Sequence, residues 1–109
     1  MVKEQLARIL IVDDSRVFRS ILEKILSAIP GVQVVGGVGK GADALEFLRL
    51  RTVDLVTLDV EMPDLNGVQV LEQMLEQKAT LKAMPDVLMV SSQTRTGSDI
   101  TMKALNLGA

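Results

Sequence analysis

Acidic residues stand directly after two strongly apolar stretches of this chain. Ile9-Leu10-Ile11-Val12 runs into Asp13-Asp14, and Leu55-Val56-Thr57-Leu58 runs into Asp59, followed by Val60-Glu61-Met62-Pro63. Three carboxylates gathered in one place repel one another unless a cation joins them. Mg²⁺ takes oxygen ligands, keeps several waters, and commonly bridges one or two carboxylates to a phosphoryl group. The chemistry suggested is a metal-assisted phosphoryl site on Asp13, Asp14 and Asp59. Capping is the competing account: Asp14-Ser15 can cap a helix starting at Arg16, and Asp59 can sit in a turn before Pro63. Capping suffices for either cluster alone; both together, on stretches of this pattern, favour the functional reading.

The elements needed to position these acids are legible. Four successive apolar or β-branched residues with no helical period read as a strand buried on both faces, the parallel-sheet pattern. An acid after such a strand lies at the carboxyl edge of the sheet, where open α/β folds place their ligands. Strands are expected at Arg8–Asp13, Val32–Val35 (breaking at Gly36-Gly37), Val53–Leu58 and Val87–Val90. Helices are expected between them, the first with Val17, Ile21, Leu22, Ile25 and Leu26 on one face and an end at Pro30-Gly31. Ala42, Leu45, Phe47 and Leu48 mark the second, and Val68, Leu71, Met74 and Leu75 the third, after a Leu65-Asn66-Gly67 turn. Lys78–Pro85 reads as irregular, Ser91–Gly97 as a polar loop, and Ser98-Asp99 as the start of a helix over Ile100–Leu107. Alternating strands and helices with short connections imply right-handed crossovers and a parallel sheet covered on both faces.

Composition removes several function classes. At 109 residues the chain is one domain at most, and its apolar share of 48% is ample for a core. A net charge of -2 provides no basic footprint for nucleic acid, and two phenylalanines cannot make a base-stacking platform. Without cysteine or histidine there is no thiolate chemistry, no histidine acid–base work and no zinc site of the usual ligands. No apolar run approaches membrane-spanning length and the N-terminus lacks a signal-peptide core, so a cytoplasmic location is expected.

Val12-Asp13-Asp14-Ser15, Leu58-Asp59-Val60-Glu61-Met62-Pro63, Asn66-Gly67 and Val90-Ser91-Ser92 together resemble the receiver domain of two-component response regulators, over about residues 7–109. Thr57 to Pro63, Ser91-Ser92-Gln93-Thr94 and Thr101…Ala104-Leu105…Gly108-Ala109 resemble more narrowly the receiver of chemotaxis protein-glutamate methylesterases. The resemblance implies a flavodoxin-like, doubly wound α/β fold, whose strand order 2-1-3-4-5 belongs to the general description of that fold. It implies that Asp59 accepts a phosphoryl group from a histidine kinase. Asp13 and Asp14, with Asp59 and the backbone carbonyl of Glu61, would hold Mg²⁺. Ser91 would be the hydroxyl that moves onto the phosphoryl group, drawing in Ser92–Gly97 and reshaping the surface near Ile100–Leu107. The chemistry agrees, since a carboxylate can be the nucleophile in phosphoryl transfer. Taken alone, Ser91 reads as a solvated loop serine.

Two enzyme readings compete. Gly37-Val38-Gly39-Lys40-Gly41-Ala42 satisfies G-x-G-x-x-A between a strand and a helix, with Asp59 about twenty residues on, as in a dinucleotide-binding oxidoreductase using Gly37, Gly39 and Ala42. It follows the second strand, however, and leaves Asp13-Asp14 without a role; glycines in a flexible turn are the plainer account. A Walker A loop fails, with Val34 at its first glycine and Gly41 at its Ser/Thr. A dehalogenase-type phosphatase lacks the second Asp and the Thr of D-x-D-x-T.

The receiver pattern continues into a fifth strand bearing a lysine and a fifth helix, whereas this sequence stops at Gly108-Ala109. Residues 1–109 are therefore expected to be one receiver lacking those two elements, part of a larger protein with an output domain, a methylesterase by the resemblance. The receiver would not be a stand-alone enzyme. Val87–Val90 would then be an open sheet edge, inviting a homodimer through that strand.

Overall fold

The computed structural model describes residues 6–91 and 101–105, with Ser91 and 101–105 described as backbone. Its elements are β1 (Ala7–Val12), α1 (Arg16–Ser27), β2 (Val32–Val38), α2 (Gly41–Leu50), β3 (Leu55–Asp59), α3 (Gly67–Glu76), a 3₁₀ turn at Lys78–Thr80, β4 (Asp86–Ser91) and β5 (Thr101–Leu105). They build one sheet of order β2-β1-β3-β4-β5. β1 to β4 are mutually parallel, with Ile9↔Leu55 and Val12↔Leu58 in register, and Asp59 opposite Val90. This is the expected flavodoxin-like α/β arrangement.

The alternation along β1 shows why the sheet needs helices on both sides. Leu10 and Val12 face a core shared with Ala44, Leu45 and Leu48 of α2 and Val70, Leu71 and Met74 of α3. Ile9 and Ile11 face the opposite way, onto Phe18, Leu22 and Leu26 of α1. Each fully buried Leu or Ile withdraws enough apolar surface to contribute about 1.5–3 kcal/mol. The packed face of α1 is thus Phe18–Leu22–Leu26. Val17, Ile21 and Ile25, assigned from the sequence to the same face as Leu22, form a second i, i+4 stripe that is exposed. Apolar residues on more than one side of a helix do not themselves say which stripe meets the sheet.

β2 is longer than expected. It runs through Gly36-Gly37 to Val38, with a register shift where Ile9 pairs Val34 and Leu10 pairs Gly36. Gly36 keeps its place in the strand because a Cβ there would lie 2.8 Å from the Phe47 ring. The stretch after α3 is anchored by Leu81, which is buried, and by Lys82 N–H donating to Leu48 O at 3.0 Å.

The largest departure concerns Ile100–Leu107. Instead of a helix, Thr101–Leu105 is a strand antiparallel to β4, pairing Val87 with Leu105 and Ser91 with Thr101. Over so short a segment Thr-Met-Lys-Ala-Leu alternates as well as it spirals, and an isolated short helix is marginal in water. The β4 edge offers a row of unpaired N–H and C=O groups that a strand satisfies and a helix does not. The sheet therefore has a fifth strand, though not a parallel one. With β4 hydrogen-bonded on both sides, the dimer expected through its open edge loses its premise; the sheet now ends at β2 and β5. The expected loop Ser92–Gly97 and helix start Ser98-Asp99 lie outside the described residues. Among the described residues no helix is long and apolar enough to cross a membrane.

Candidate functional site

Asp13 follows the last residue of β1 and Asp59 ends β3, so adjacent parallel strands deliver both acids to the same sheet edge. Asp14 is next along the chain. One carboxylate oxygen from each of Asp13, Asp14 and Asp59 can be chosen so that all three lie within 4.8 Å of one another, with Asp14 exposed and the other two buried. Ser15 turns the chain into α1: its N–H donates to Asp13 Oδ1 at 2.8 Å, and its own Oγ accepts from Phe18 N–H at 3.1 Å. Capping and acid clustering therefore coexist here, with Ser15 as the cap and Asp14 left free of that role.

Electrostatics set this corner apart. Burial pushes the Asp59 carboxyl up to about 7, helped by the neighbouring Asp13 and Asp14 charges and opposed by Glu61 N–H, which donates to Asp59 Oδ1 at 3.3 Å. Asp13 is raised too, mainly by burial and further by Asp14, against the Ser15 N–H and the nearby Arg19. Asp13 Oδ2 is buried with no hydrogen-bond partner among the described residues. Buried acceptors are normally satisfied, so an orphaned carboxylate oxygen between two other carboxylates marks a place for a cation. Mg²⁺–oxygen bonds of about 2.0–2.1 Å put its ligands up to about 4.2 Å apart, and the trio needs only a small adjustment to meet that. The donor set fits a hard divalent ion.

Of the other residues expected at the site, Glu61 is exposed and brings its backbone to Asp59. Ser91 ends β4, one residue beyond the Asp59–Val90 pair; its side chain lies outside the described part. Gly67 opens α3 behind Asn66, which makes a capping box with Gln69, so the expected turn is a helix start. A Cβ on Gly67 would sit 2.5 Å from the Asp59 carbonyl oxygen. Gly67→Ala should therefore cost about 1–3 kcal/mol through overpacking, despite alanine's better helix propensity. Denaturant unfolding checks this, and an alanine variant as stable as the parent would contradict the contact.

Asp64 is a residue that sequence reasoning passed over. Its carboxylate accepts from Gly41 N–H at 3.1 Å and Ala42 N–H at 3.2 Å, tying the connection after β3 to the start of α2. Those amides, with burial opposing them, hold Asp64 below the usual carboxylate range. The anion position that a dinucleotide pyrophosphate would need is thus filled by the chain's own acid. β1 also separates β2 from β3, so Gly37, Gly39 and Ala42 do not form the expected dinucleotide unit with Asp59. Asp64→Ala is expected to cost about 1 kcal/mol, the usual worth of a helix cap, measurable by denaturant unfolding; no loss would show that the cap is idle.

Residues 9–109 match the family described as response regulator receiver domain. A protein-glutamate methylesterase/protein-glutamine glutaminase of Desulfotalea psychrophila is 43% identical over 102 residues, which is 94% of this chain and 27% of that protein. The chain thus spans little more than a quarter of that relative. The response regulator domain of Thermotoga maritima CheB superposes with a TM-score of 0.72 at 38% identity, over 85% of this chain and 66% of that one. The MaeR response regulator bound to beryllium trifluoride superposes at 0.70 with 27% identity, over 84% and 71%.

Proposed function

This chain belongs to the response regulator receiver domain family, and from that premise we propose that Asp59 is its phosphoacceptor, with Mg²⁺ held by Asp13, Asp14, Asp59 and the Glu61 carbonyl. The observation that carries the proposal is the convergence of three carboxylates, two of them buried, with an unpartnered Asp13 oxygen. An ionised Asp59 oxygen attacks the phosphorus of the donor; the new O–P bond makes an acyl phosphate as the P–N bond to the donor histidine breaks, its electron pair going to the imidazole. When bound, Mg²⁺ would neutralise charge on the transferring group. Asp59 enters the reaction from a buried position that keeps bulk water away, and Glu61 N–H orients its Oδ1. Ser91, one residue past the Val90 that faces Asp59, is proposed as the hydroxyl that closes on the phosphoryl group. The MaeR structure holds beryllium trifluoride, and a corresponding ligand on Asp59 goes with this reading.

A histidine kinase is the proposed donor, in the cytoplasm, where ATP is available to charge it. Val17, Ile21 and Ile25 are exposed along α1, the helix that follows Asp13-Asp14-Ser15, and are proposed as apolar surface that a donor protein covers. The receiver is further proposed to be the regulatory part of a longer protein with a methylesterase output, by analogy with relatives of which this chain spans about a quarter. Incubation with acetyl phosphate and Mg²⁺, followed by mass mapping, tests the central assignment. The adduct is expected on Asp59; an adduct on Ser91 or Ser92, or none, would overturn it.

A further inference from the structure

We propose that Arg19 is a positioning residue for the acidic pair, and that Gly39 leaves the space its guanidinium occupies. The inference deepens the metal-site reading above and rests on it. Arg19 lies in the first turn of α1, partly buried, and its Nη1 donates to the backbone carbonyl of Asp13 at 2.5 Å. That carbonyl belongs to the rigid peptide unit joining Asp13 to Asp14. Holding it restrains ψ of Asp13 and φ of Asp14 together, and so the direction in which the Asp14 side chain leaves the backbone. Asp13 has other restraints, its N–H on Val38 O at 3.0 Å and its Oδ1 on Ser15 N–H. Asp14 is exposed, so packing cannot aim it; its backbone must.

Gly39 explains how Arg19 gets there. A Cβ on Gly37 would lie 3.5 Å from Arg19 Cδ. A Cβ on Gly39 would lie 3.0 Å from Nη1, close enough that the donor must shift by a few tenths of an ångström, while the Asp13 carbonyl oxygen at 3.8 Å would be in ordinary contact. Neither glycine has a positive φ, unlike Gly31 at 85°. At Gly39 space, not backbone freedom, is what the position requires, whereas a Cβ on Gly37 would make ordinary contact with the Arg19 stem. The central glycine of the segment that resembles a dinucleotide loop is thereby accounted for.

The sign of one measurement separates positioning from mere proximity. A fixed positive charge beside a cation site repels the ion, so removing a bystander arginine should tighten Mg²⁺ binding. Removing a positioning arginine should weaken it. Calorimetric Mg²⁺ titration of the chain and its variants, each checked for folding by circular dichroism in EDTA, is the test. Arg19→Met is expected to weaken binding about tenfold, in the range for groups that orient metal ligands. Arg19→Lys, which keeps a donor of shorter reach, should recover part of the loss. Gly39→Val, which leaves Arg19 in the chain but takes its space, should reproduce the loss, and Gly39→Ala a smaller share of it. Unchanged or tighter binding in folded Arg19→Met would overturn the proposal while leaving the metal site standing, provided Asp14→Ala abolishes binding. A parent chain that binds no Mg²⁺ would overturn both.

Discussion

Asp59→Asn should lose phosphorylation by acetyl phosphate by at least roughly a thousandfold, the scale of removing a nucleophile, while the metal-free protein becomes more stable. The two halves of this result have one cause. An amide has nearly the shape of the carboxylate, and its oxygen can still accept from Glu61 N–H as Asp59 Oδ1 does at 3.3 Å. It lacks the negative charge that attacks phosphorus. It also lacks the charge that burial and Asp13 make costly, the causes that raise Asp59 to about 7. A variant that is inactive yet more resistant to urea cannot be inactive through misfolding. If the Asp59→Asn variant were labelled at the parental rate, or were less stable than the parent in EDTA, the account of Asp59 would be wrong.

The second large effect is a reversal of pH dependence by Mg²⁺. An unfolded aspartate titrates near 3.9, whereas folded Asp59 titrates at about 7. The folded state therefore binds more protons between about pH 4 and 7, and stability must fall as pH rises through that window. A three-unit displacement corresponds to at most about 4 kcal/mol, fully present below about pH 4 and lost above about pH 7. Asp13, raised for the same reason, adds to the trend. Asp54, held below its ordinary range by Arg8, titrates in the opposite sense but below this window. Mg²⁺ binds the ionised carboxylates, so its stabilisation should be negligible at pH 5 and reach about 2.7 kcal/mol at a hundredfold excess over its dissociation constant at pH 8. Urea unfolding across pH 5–8, in EDTA and in millimolar Mg²⁺, reads both curves. Stability in EDTA that is flat or rises with pH, or an equal Mg²⁺ increment at pH 5 and 8, would refute the coupled acidic site.

What the sequence by itself determined is whatever depends on short-range pattern. Apolar runs such as Ile9–Val12 have no helical period and become strands buried on both faces. An acid directly after such a run must emerge at the sheet's carboxyl edge, so Asp13, Asp14 and Asp59 were placed by chain position alone. Ser15 stands where a helix must begin, and its capping bond forms three residues on, at Phe18. Tertiary structure decided the rest, because the partner in each case lies beyond the reach of periodicity. Thr101–Leu105 carries a pattern that suits either element, and the open edge of β4 made it a strand. The sequence set Val17, Ile21 and Ile25 on one α1 face with Leu22 and Leu26, and the sheet instead took Phe18, Leu22 and Leu26. Asp64 caps an α2 that starts 23 residues earlier, and Arg8 pairs with Asp54 across 46. Gly37 and Gly39 fitted a dinucleotide pattern but read more plainly as a flexible turn; the fold puts Gly37 in β2 and Arg19 against Gly39. Local sequence sets which groups face a strand edge or start a helix; only packing brings distant groups within hydrogen-bonding distance and decides which of them share a site.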